Sequence, residues 1–235
     1  MLNNPGTPLL LLATRRSGKP RDLVAPGPDD AQLARILEIA ARTPDHGKLA
    51  PWRFAIVGSD QRDALAALIT GAYRAERPEA KRVEIEALEQ FAHQAPTLVV
   101  VLSSPKPESH IPLWEQQLSV GAAGMNLLHA ATASGFAAGW LTGWAAYSDE
   151  VRDAFGAAPE RIAGFVFIGM PVKPLDERPR PDPARVVTRW AVLDSTPTPV
   201  AVLRHHDSPR DDAQQRRQPG LHPAARHDRR RDSSR

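Results

Sequence analysis

The chain has 235 residues, 42% of them hydrophobic, which is enough for one domain with a sizeable core and a tail. Its formal net charge of +3 comes from residues 196–235, where nine Arg and five Asp give +4, whereas the other 21 basic and 22 acidic residues give −1. The main part of the chain is therefore not an expected partner of nucleic acid, and the absence of cysteine excludes disulfides, thiolate metal sites and a cysteine nucleophile.

The first predicted element is a short helix over residues 9–13, which are all apolar. This run is far shorter than the ~20 residues of a membrane-spanning helix. Pro5 and Pro8 precede it in place of the basic residues of a secretory signal. We therefore expect a cytoplasmic protein that does not associate with membranes.

A basic pair and a hydroxyl, Arg15-Arg16-Ser17, follow this helix. Arg donates two hydrogen bonds at once to phosphate oxygens, so this cluster is suited to a phosphate clamp. A solvated basic turn would have the same sequence, and the three residues alone do not distinguish the two interpretations.

A second polar cluster lies between a helix and a strand. Apolar residues at helical spacing predict the helix over residues 31–42, which Pro44 ends, and residues 52–58 predict the strand. The loop between them contains His46, and such loops display polar groups where sites usually form. His46 alone is equally compatible with an ordinary surface imidazole. No second His or carboxylate stands at ligand spacing in this loop, so we expect no metal site.

Further helices and strands follow along the chain. Ser59 is predicted to cap the next helix, and a charged helix is expected over residues 79–93. Residues 97–102 and 162–168 are apolar without polar alternation, which predicts strands covered on both faces. Between these strands, residues 114–134 have the strongest helical pattern and are rich in small residues, which suits close packing against another helix.

Small and aromatic residues follow this long helix from Gly135 to Trp144. Gly135 is a typical helix C-cap, and we expect a turn here. Gly and Ala permit the close approach of a flat ligand, whose ring atoms can bond to backbone amides. A tightly packed turn without a ligand is the alternative. Strands separated by helices predict a layered α/β or α+β domain.

The pattern of elements ends after Trp190. From Thr196 the sequence is mainly Pro, Arg, Asp, Gln and His, a composition that cannot bury enough apolar surface to offset its ordering entropy. We therefore expect a domain over residues 8–195 and a disordered tail over residues 196–235. Its clustered Arg residues suggest a function of another class, binding of nucleic acid or an acidic partner, but the tail lacks aromatic residues that would stack on bases.

Five motifs, taken together and in order, resemble the FMN-dependent nitroreductase family. They are RRS near the N-terminus, PDHGKLAPW in the loop, WEQQLSVGAAGMNLL in the long helix, GFAAGWLTG after it and FVFIGMP in the last strand. Their order and spacing resemble those of the family over residues 9–185. In particular, the chain resembles the small bacterial YdjA-like nitroreductases.

The resemblance implies an α+β fold with a central mixed, mainly antiparallel sheet flanked by helices. It implies a homodimer in which the long helices pack together, with FMN at each end of the interface and NADH or NADPH as electron donor. Hydride would pass in a ping-pong reaction from NAD(P)H through FMN to a nitroaromatic compound, a quinone or a similar electrophilic small molecule. No catalytic side chain is expected, because the chemistry takes place on FMN.

The site residues that the resemblance implies fall into three groups. Those at the family's cofactor-binding positions are Arg15, Arg16, Ser17, Arg42, His46, Trp140, Leu141 and Thr142, with Arg42 and His46 supplied by the other subunit. Those aligned with a segment that meets the nicotinamide nucleotide are Ala130, Ala131, Thr132, Ala133, Ser134 and Gly135. A basic residue late in the domain often completes the phosphate site, and the candidates are Lys173, Arg178 and Arg180. The loop departs from many family members, which have Ser, Asn and Gln where this chain has Asp45 or His46, Lys48 and Ala50.

An alternative function is compatible with the same scaffold. Specialised flavin enzymes of this superfamily remove halogens reductively or fragment the flavin itself. The extra lid sequences of such enzymes are not recognisable in this chain.

Overall fold

The computed structural model describes residues 1–190 of the chain, which divides into a compact unit over Met1–Arg178 and a second unit that begins at Pro179. The helices of the first unit are α1 (Pro8–Thr14), α2 (Asp30–Ala40), α3 (Arg62–Glu76), α4 (Arg82–Ala92), α5 (Leu113–Ala133), α6 (Trp144–Tyr147) and α7 (Asp149–Asp153). Its strands are β1 (Leu23–Val24), β2 (Trp52–Val57), β3 (Thr97–Ser103), β4 (Ala137–Leu141) and β5 (Arg161–Pro171). The described part of the second unit contains a short helix, α8 (Pro183–Val186).

The strands form one sheet with the order β1–β5–β3–β2, and β4 pairs with β5 on the edge opposite β3. The α+β class is confirmed, with helices on both sides of the sheet. The predicted mainly antiparallel character of the sheet is confirmed, and the parallel pairing of a mixed sheet does not occur within residues 1–190, where each strand pairing is antiparallel. The strand β5 runs opposite to its three neighbours β1, β3 and β4, and β3 runs opposite to β2.

The hydrophobic core lies on both faces of β3. Successive side chains of a strand point to opposite faces, so Leu98, Val100 and Leu102 pack towards α3, α4, α6 and α7, whereas Val99 and Val101 pack towards α2 and α5. All five side chains are completely buried. Each contributes about 1.5–3 kcal/mol through burial. The prediction of strands covered on both faces is confirmed.

The long helix α5 ends in a Schellman motif that directs the chain into β4. The amide of Gly135 donates to the carbonyl of Thr132, and the amide of Phe136 donates to the carbonyl of Ala131, each over 3.0 Å. Gly135 has a φ of +92°, which glycine adopts without steric cost. The sequence therefore predicted the end of this helix correctly.

Two local predictions are wrong. Ser59 does not cap a helix but lies in a 3-10 turn, and α3 begins after Gln61 without a side-chain cap. Residues 137–141, expected in a turn, form β4 because they pair with residues 165–169 of β5. This pairing is a tertiary contact, and the small side chains of the segment do not indicate a strand.

The remaining predicted helices and strands are confirmed to within three residues at either end. In the part of the chain that the structure describes, no helix combines the length and the apolar character needed to cross a bilayer. The domain limits at residues 8 and 195 stay a prediction. The expected tail over residues 196–235 lies outside the described residues.

Candidate functional site

A pocket beside β4 brings together two segments that are distant in the sequence. Its volume is about 430 Å³. Arg16 and Ser17 line it from the segment after α1, and Trp140 and Leu141 line it from β4. The other lining residues are Gly18, Lys19, Pro20, Arg21, Gln94 and Gly139. Four of the residues implied as cofactor-binding therefore meet at one site.

The pocket forms because the segment after α1 lies along the outer edge of β4. The amide of Gly18 donates to the carbonyl of Ala138 over 3.0 Å. Gly139 permits this approach, since a Cβ there would lie 2.4 Å from the carbonyl oxygen of Gly18. Backbone groups of alternate residues in a strand point the same way, so those of Trp140 are directed to the same outer edge as those of Ala138. A planar ligand with polar ring atoms can bond to them.

The indole of Trp140 packs within the domain between α5 and β5. Its Nε1 donates to the carbonyl of Ala163 over 3.1 Å. A Cβ on Gly124 of α5 or on Gly164 of β5 would collide with the ring, at 2.5 and 1.8 Å respectively. Trp140 therefore anchors β4 with its side chain and presents its backbone to the pocket.

Arg15 lies next to Ser17, which lines the pocket, and close to a histidine of α5, His129. Nη1 of Arg15 donates to Oγ of Ser17 over 3.4 Å. The pKa of His129 is lowered, first by burial and then by the positive charge of Arg15. Nδ1 of His129 is buried and has no hydrogen-bond partner within residues 1–190. The three side chains combine positive charge with hydrogen-bonding groups, which is the chemistry that binds an anion.

Arg16 ties its own segment to the loop after β5. Its Nε donates to the carbonyl of Asp176 over 2.8 Å, and its Nη1 donates to the carbonyl of Ser17 over 3.3 Å. These bonds occupy two of the donor atoms of the guanidinium group. Arg16 is consequently held in place by the backbone at the mouth of the pocket.

Lys173 is the late basic residue that the structure brings next to the predicted phosphate clamp. It lines a small cavity of about 30 Å³ with Arg16 and Ser17, and its Nζ lies 3.3 Å from a carboxylate oxygen of Asp22. The other two candidates are not among the residues that line this cavity. Arg178 lies in the first unit, and Arg180 belongs to the second.

The loop that contains Arg42 and His46 lies along α5 and does not line the pocket beside β4. Nδ1 of His46 is 2.7 Å from a carboxylate oxygen of Glu115, and the hydroxyl of Ser119 donates to the carbonyl of Pro44 over 2.6 Å. Arg42 and His46 are both exposed. The structure thus separates these two residues from the other cofactor-binding candidates of the same chain.

The predicted nicotinamide segment is only partly accessible. Ala130, Ala131 and Thr132 are buried, and the hydroxyl of Thr132 donates to the carbonyl of Leu128 over 2.9 Å. Residues 133–135 are exposed. The side chains of the first three residues therefore cannot reach a nucleotide in this conformation, and contacts are restricted to the end of the segment.

A third pocket, of about 320 Å³, adjoins Thr142 at the end of β4. Phe91, Tyr73 and Trp144 line it, and the rings of Tyr73 and Trp144 meet edge to face with centroids 4.9 Å apart. Glu84 lines it too and accepts a hydrogen bond from the Tyr73 hydroxyl over 2.8 Å. The amide of Lys81 and then this hydroxyl lower the pKa of Glu84. The pocket is suited to an aromatic molecule.

Several residues at these sites were not predicted from the sequence, and three of them contact a predicted residue or line the pocket beside β4. Gln94 lines the pocket beside β4, Glu115 contacts His46, and His129 lies next to Arg15. An acidic residue in the first turn of a helix is an ordinary complement to the helix dipole, so Glu115 gave no signal of its own. Within residues 1–190, no group of three or more potential metal ligands occurs.

The chain is similar to known proteins over most of residues 1–190. The model of the "Nitroreductase family" matches residues 12–170. A Haemophilus influenzae protein named "Putative NAD(P)H nitroreductase" is 38% identical over 164 residues, covering 68% of this chain and 86% of that protein. "Putative NAD(P)H nitroreductase YdjA" from Escherichia coli K12 is 33% identical over 182 residues, covering 77% and 97%. A solved mutant of NfnB, an FMN and NADPH-dependent nitroreductase from sphigopyxis sp. strain HMH, has the same fold with a TM-score of 0.61, 23% identity and coverage of 76% and 96%.

Proposed function

The chain belongs to the nitroreductase family, and we propose that it is an FMN-dependent oxidoreductase. It takes electrons from NADH or NADPH and delivers them to a nitroaromatic compound, a quinone or a similar electrophilic acceptor. The observation that carries this proposal is the pocket that Arg16 and Ser17 share with Trp140 and Leu141, because it unites two segments at the family's cofactor-binding positions. The H. influenzae relative is named for the NAD(P)H-dependent activity, and NfnB for dependence on FMN and NADPH.

The donor set around Ser17, which lines the pocket, fits the phosphate of FMN. Arg15 offers guanidinium N–H groups, and the hydroxyl of Ser17 lies next to them. Lys173 adds an ammonium group from the loop after β5. Hydrogen bonds between charged groups are roughly twice as strong as neutral ones, so these three side chains suit a dianionic phosphate. Arg16 keeps the segment in place through its bonds to backbone carbonyls.

The outer edge of β4 fits the ring system of FMN. The backbone groups of Trp140 are directed to this edge, where polar atoms of a flat ring can pair with them. Gly139 leaves the approach open, since any side chain there would collide with Gly18. The partly buried indole of Trp140 fixes the strand through its bond to Ala163. The edge is therefore in place before a ligand binds.

The chain's own residues bind, orient and shield the reactants. When bound, FMN supplies the hydride-transfer chemistry. The aromatic pocket next to Thr142 offers an apolar acceptor a place beside the end of β4, and Phe91 and Trp144 give it an aromatic lining. No Ser-His-Asp arrangement or carboxylate pair is required of the protein.

We further propose that the protein is a homodimer formed through α1 and α5. Large apolar side chains are exposed on these two helices, with Leu9 75%, Trp114 67% and Leu118 54% accessible. Gly121, on the same helix as Trp114, has open space where a side chain would lie. Exposed apolar side chains grouped on neighbouring helices indicate a partner surface. A second copy of the chain would cover these side chains and form the close helix contact that the small residues favour.

The dimer also accounts for the position of Arg42 and His46. Both lie on the exposed loop along α5, away from the pocket lined by Arg16 and Leu141. In a dimer formed through α5, these two side chains would contact FMN bound to the partner subunit. Each site would then take its phosphate and ring contacts from one subunit and Arg42 and His46 from the other.

The test is purification of the full chain followed by spectroscopy and turnover assays. We expect a yellow protein that releases about one FMN per chain on denaturation. Under anaerobic conditions, NADH or NADPH alone should bleach the flavin once, and continuous oxidation of NADH or NADPH should require a nitroaromatic compound or a quinone. A colourless protein that also fails to bind added FMN would rule the proposal out. A flavin-loaded protein that is monomeric by light scattering would rule out the dimer.

A further inference from the structure

One face of α5 holds the loop of His46 at three points. Glu115, Ser119 and Asn126 are spaced by four and seven residues, so they lie on the same side of the helix. Glu115 contacts His46, Ser119 contacts the carbonyl of Pro44, and Nδ2 of Asn126 donates to Oγ1 of Thr43 over 2.8 Å. The loop is therefore held at Thr43 and Pro44, just before His46, and also at the His46 side chain.

The backbone after His46 is held in an unusual conformation. Gly47, Lys48 and Ala50 have φ values of +79°, +55° and +46°. For residues other than glycine, this left-handed region costs roughly 1–2 kcal/mol each, and it persists only where the surroundings enforce it. Here the carboxylate of Asp45 accepts the amide of Ala50 over 2.6 Å. Such conformations cluster at functional sites, which indicates that the loop has a function besides the connection of α2 to β2.

The contact between Glu115 and His46 also sets the protonation pattern of the imidazole. An ionised carboxylate only accepts hydrogen bonds, and Glu115 stands in the first turn of a 21-residue helix, where a negative charge is favoured. Nδ1 of His46, at 2.7 Å, must therefore carry the proton. In the neutral ring, Nε2 is then left as an acceptor.

We propose that Glu115 is a positioning residue for the cofactor. It fixes the ring of His46 in the Nδ1–H form, so that Nε2 accepts a hydrogen bond from FMN bound to the partner subunit. FMN carries suitable donors in its ribityl hydroxyls and the N3–H of its ring. The inference rests on the proposed function, because it requires that His46 contacts FMN.

The contact between His46 and Glu115 alone would not carry this role. The side chains of His46 and Glu115 are 63% and 45% exposed, and exposed pairs contribute little to stability. In contrast to most exposed pairs, this one stands on a loop whose backbone is already fixed by Ser119 and Asn126. Orienting the ring of His46 therefore costs little conformational entropy. The effect of the pair therefore appears in ligand binding and in the imidazole tautomer, and not in folding.

The first experiment is a double-mutant cycle that compares the Kd of FMN among variants. FMN is added to the full-length protein from which the cofactor has been removed, and binding is measured by quenching of flavin fluorescence. Glu115→Ala should raise the Kd about three- to tenfold. Glu115→Gln should raise it less, because the amide oxygen still accepts a hydrogen bond. In a His46→Ala background, Glu115→Ala should have no further effect. Glu89→Ala, which removes an exposed carboxylate from α4, is the control and should leave the Kd unchanged.

The second experiment reads the tautomer without FMN, from the ¹⁵N shifts of the His46 ring in mildly alkaline buffer. The unsubstituted protein should show the Nδ1–H form, and Glu115→Ala should revert to the Nε2–H form that a free histidine side chain prefers. If Glu115→Ala leaves the tautomer of His46 unchanged, the proposed role of Glu115 is wrong. It is also wrong if Glu115→Ala raises the Kd of FMN by the same factor in the His46→Ala background as in the unsubstituted protein. If the unsubstituted protein binds FMN normally and Glu115→Ala does not alter its Kd, the inference fails while the proposed function stands.

Discussion

The carbonyl oxygen of Gly18 lies so close to Gly139 that a Cβ on Gly139 would be only 2.4 Å away. No real Cβ tolerates such a distance, so the contact requires glycine. It joins the segment after α1 to the outer edge of β4, next to the hydrogen bond between Gly18 and Ala138. The pocket that carries the proposed function exists because of this contact.

Gly139→Ala should therefore damage the pocket. The added methyl must push the segment at Gly18 away from β4, and overpacking of this kind costs about 1–3 kcal/mol. We expect a lower thermal midpoint and a rise of tenfold or more in the Kd of FMN. Gly71→Ala, at an exposed helical glycine with nothing within 4 Å of the new methyl, is the control and should do neither. An unchanged Kd in Gly139→Ala would show that FMN does not bind at this edge.

The same region shows where prediction from sequence succeeds and fails. The strands β3 and β5 were predictable, because their uninterrupted apolar residues fit only a strand buried on both faces. The strand β4 was not, because Ala137 and Gly139 have weak strand propensity and are extended only through pairing with β5. The two-residue β1 and the short helices α6 to α8 are too brief for any periodicity.

The dimer can be tested at a glycine on α5. Gly121 has open space where a side chain would lie, so Gly121→Arg should leave the fold of a subunit intact. If α5 packs against its counterpart in a second copy, the same change should break the dimer and lower flavin content. Gly71→Arg makes the same substitution at an open glycine on α3 and should leave the dimer intact. Light scattering of both variants decides, and a dimeric Gly121→Arg would contradict an interface at this residue.

The site was predictable only in parts. Arg16 and Leu141 belong to motifs that the sequence displays, but their meeting depends on the path of the chain along β4, which no local pattern encodes. Trp140 was expected as a contact, yet its indole packs mainly within the domain, where Nε1 donates to the carbonyl of Ala163. The pair of His46 with Glu115 joins a loop to a helix far along the chain, and neither residue alone indicates the other.

The phosphate clamp predicts a graded loss of cofactor. Arg15→Ala removes a charge-assisted hydrogen bond and should weaken FMN by roughly 1.5–3 kcal/mol, which is about ten- to a hundredfold in Kd. Ser17→Ala loses only a hydroxyl and should cost less. Arg35→Ala, on the exposed face of α2, removes the same charge away from the site and is the control. If fluorescence titration gives the same Kd for Arg15→Ala as for the unsubstituted protein, Arg15 does not bind the phosphate.

Arg62 should contribute to the stability of the fold and not to the reaction on FMN. It is 5% exposed, and its guanidinium group donates to the carbonyls of Val57, Ala92, Gln94 and Pro96 over 2.8–3.4 Å. Burial lowers its pKa. Arg62→Ala leaves these carbonyls without their donor and should destabilise the protein by about 3 kcal/mol in urea unfolding. Retention of the full unfolding free energy would contradict this role.

His129 should make folding sensitive to acid in the protein without FMN. Burial, and then the charge of Arg15, lower the pKa of His129 below its ordinary value of 6.5. The unfolded chain therefore binds a proton at a pH where the folded protein does not. The stabilising contribution of the neutral ring is complete above pH 6.5 and is lost as the pH falls below it. The urea midpoint should accordingly decrease on acidification through this range.

The variant His129→Leu isolates this effect, because it removes the titrating ring and the buried Nδ1 that has no hydrogen-bond partner within residues 1–190. It should lose less stability than the unsubstituted protein between about pH 7.5 and pH 5.5, a range that spans the ordinary pKa of histidine. His110→Leu removes an exposed ring from the loop before α5 and controls for the loss of one histidine. Equal losses in His129→Leu and the unsubstituted protein would mean that another group causes the acid sensitivity. A smaller loss in His129→Leu alone would assign it to the ring beside Arg15, where the phosphate of FMN is proposed to bind.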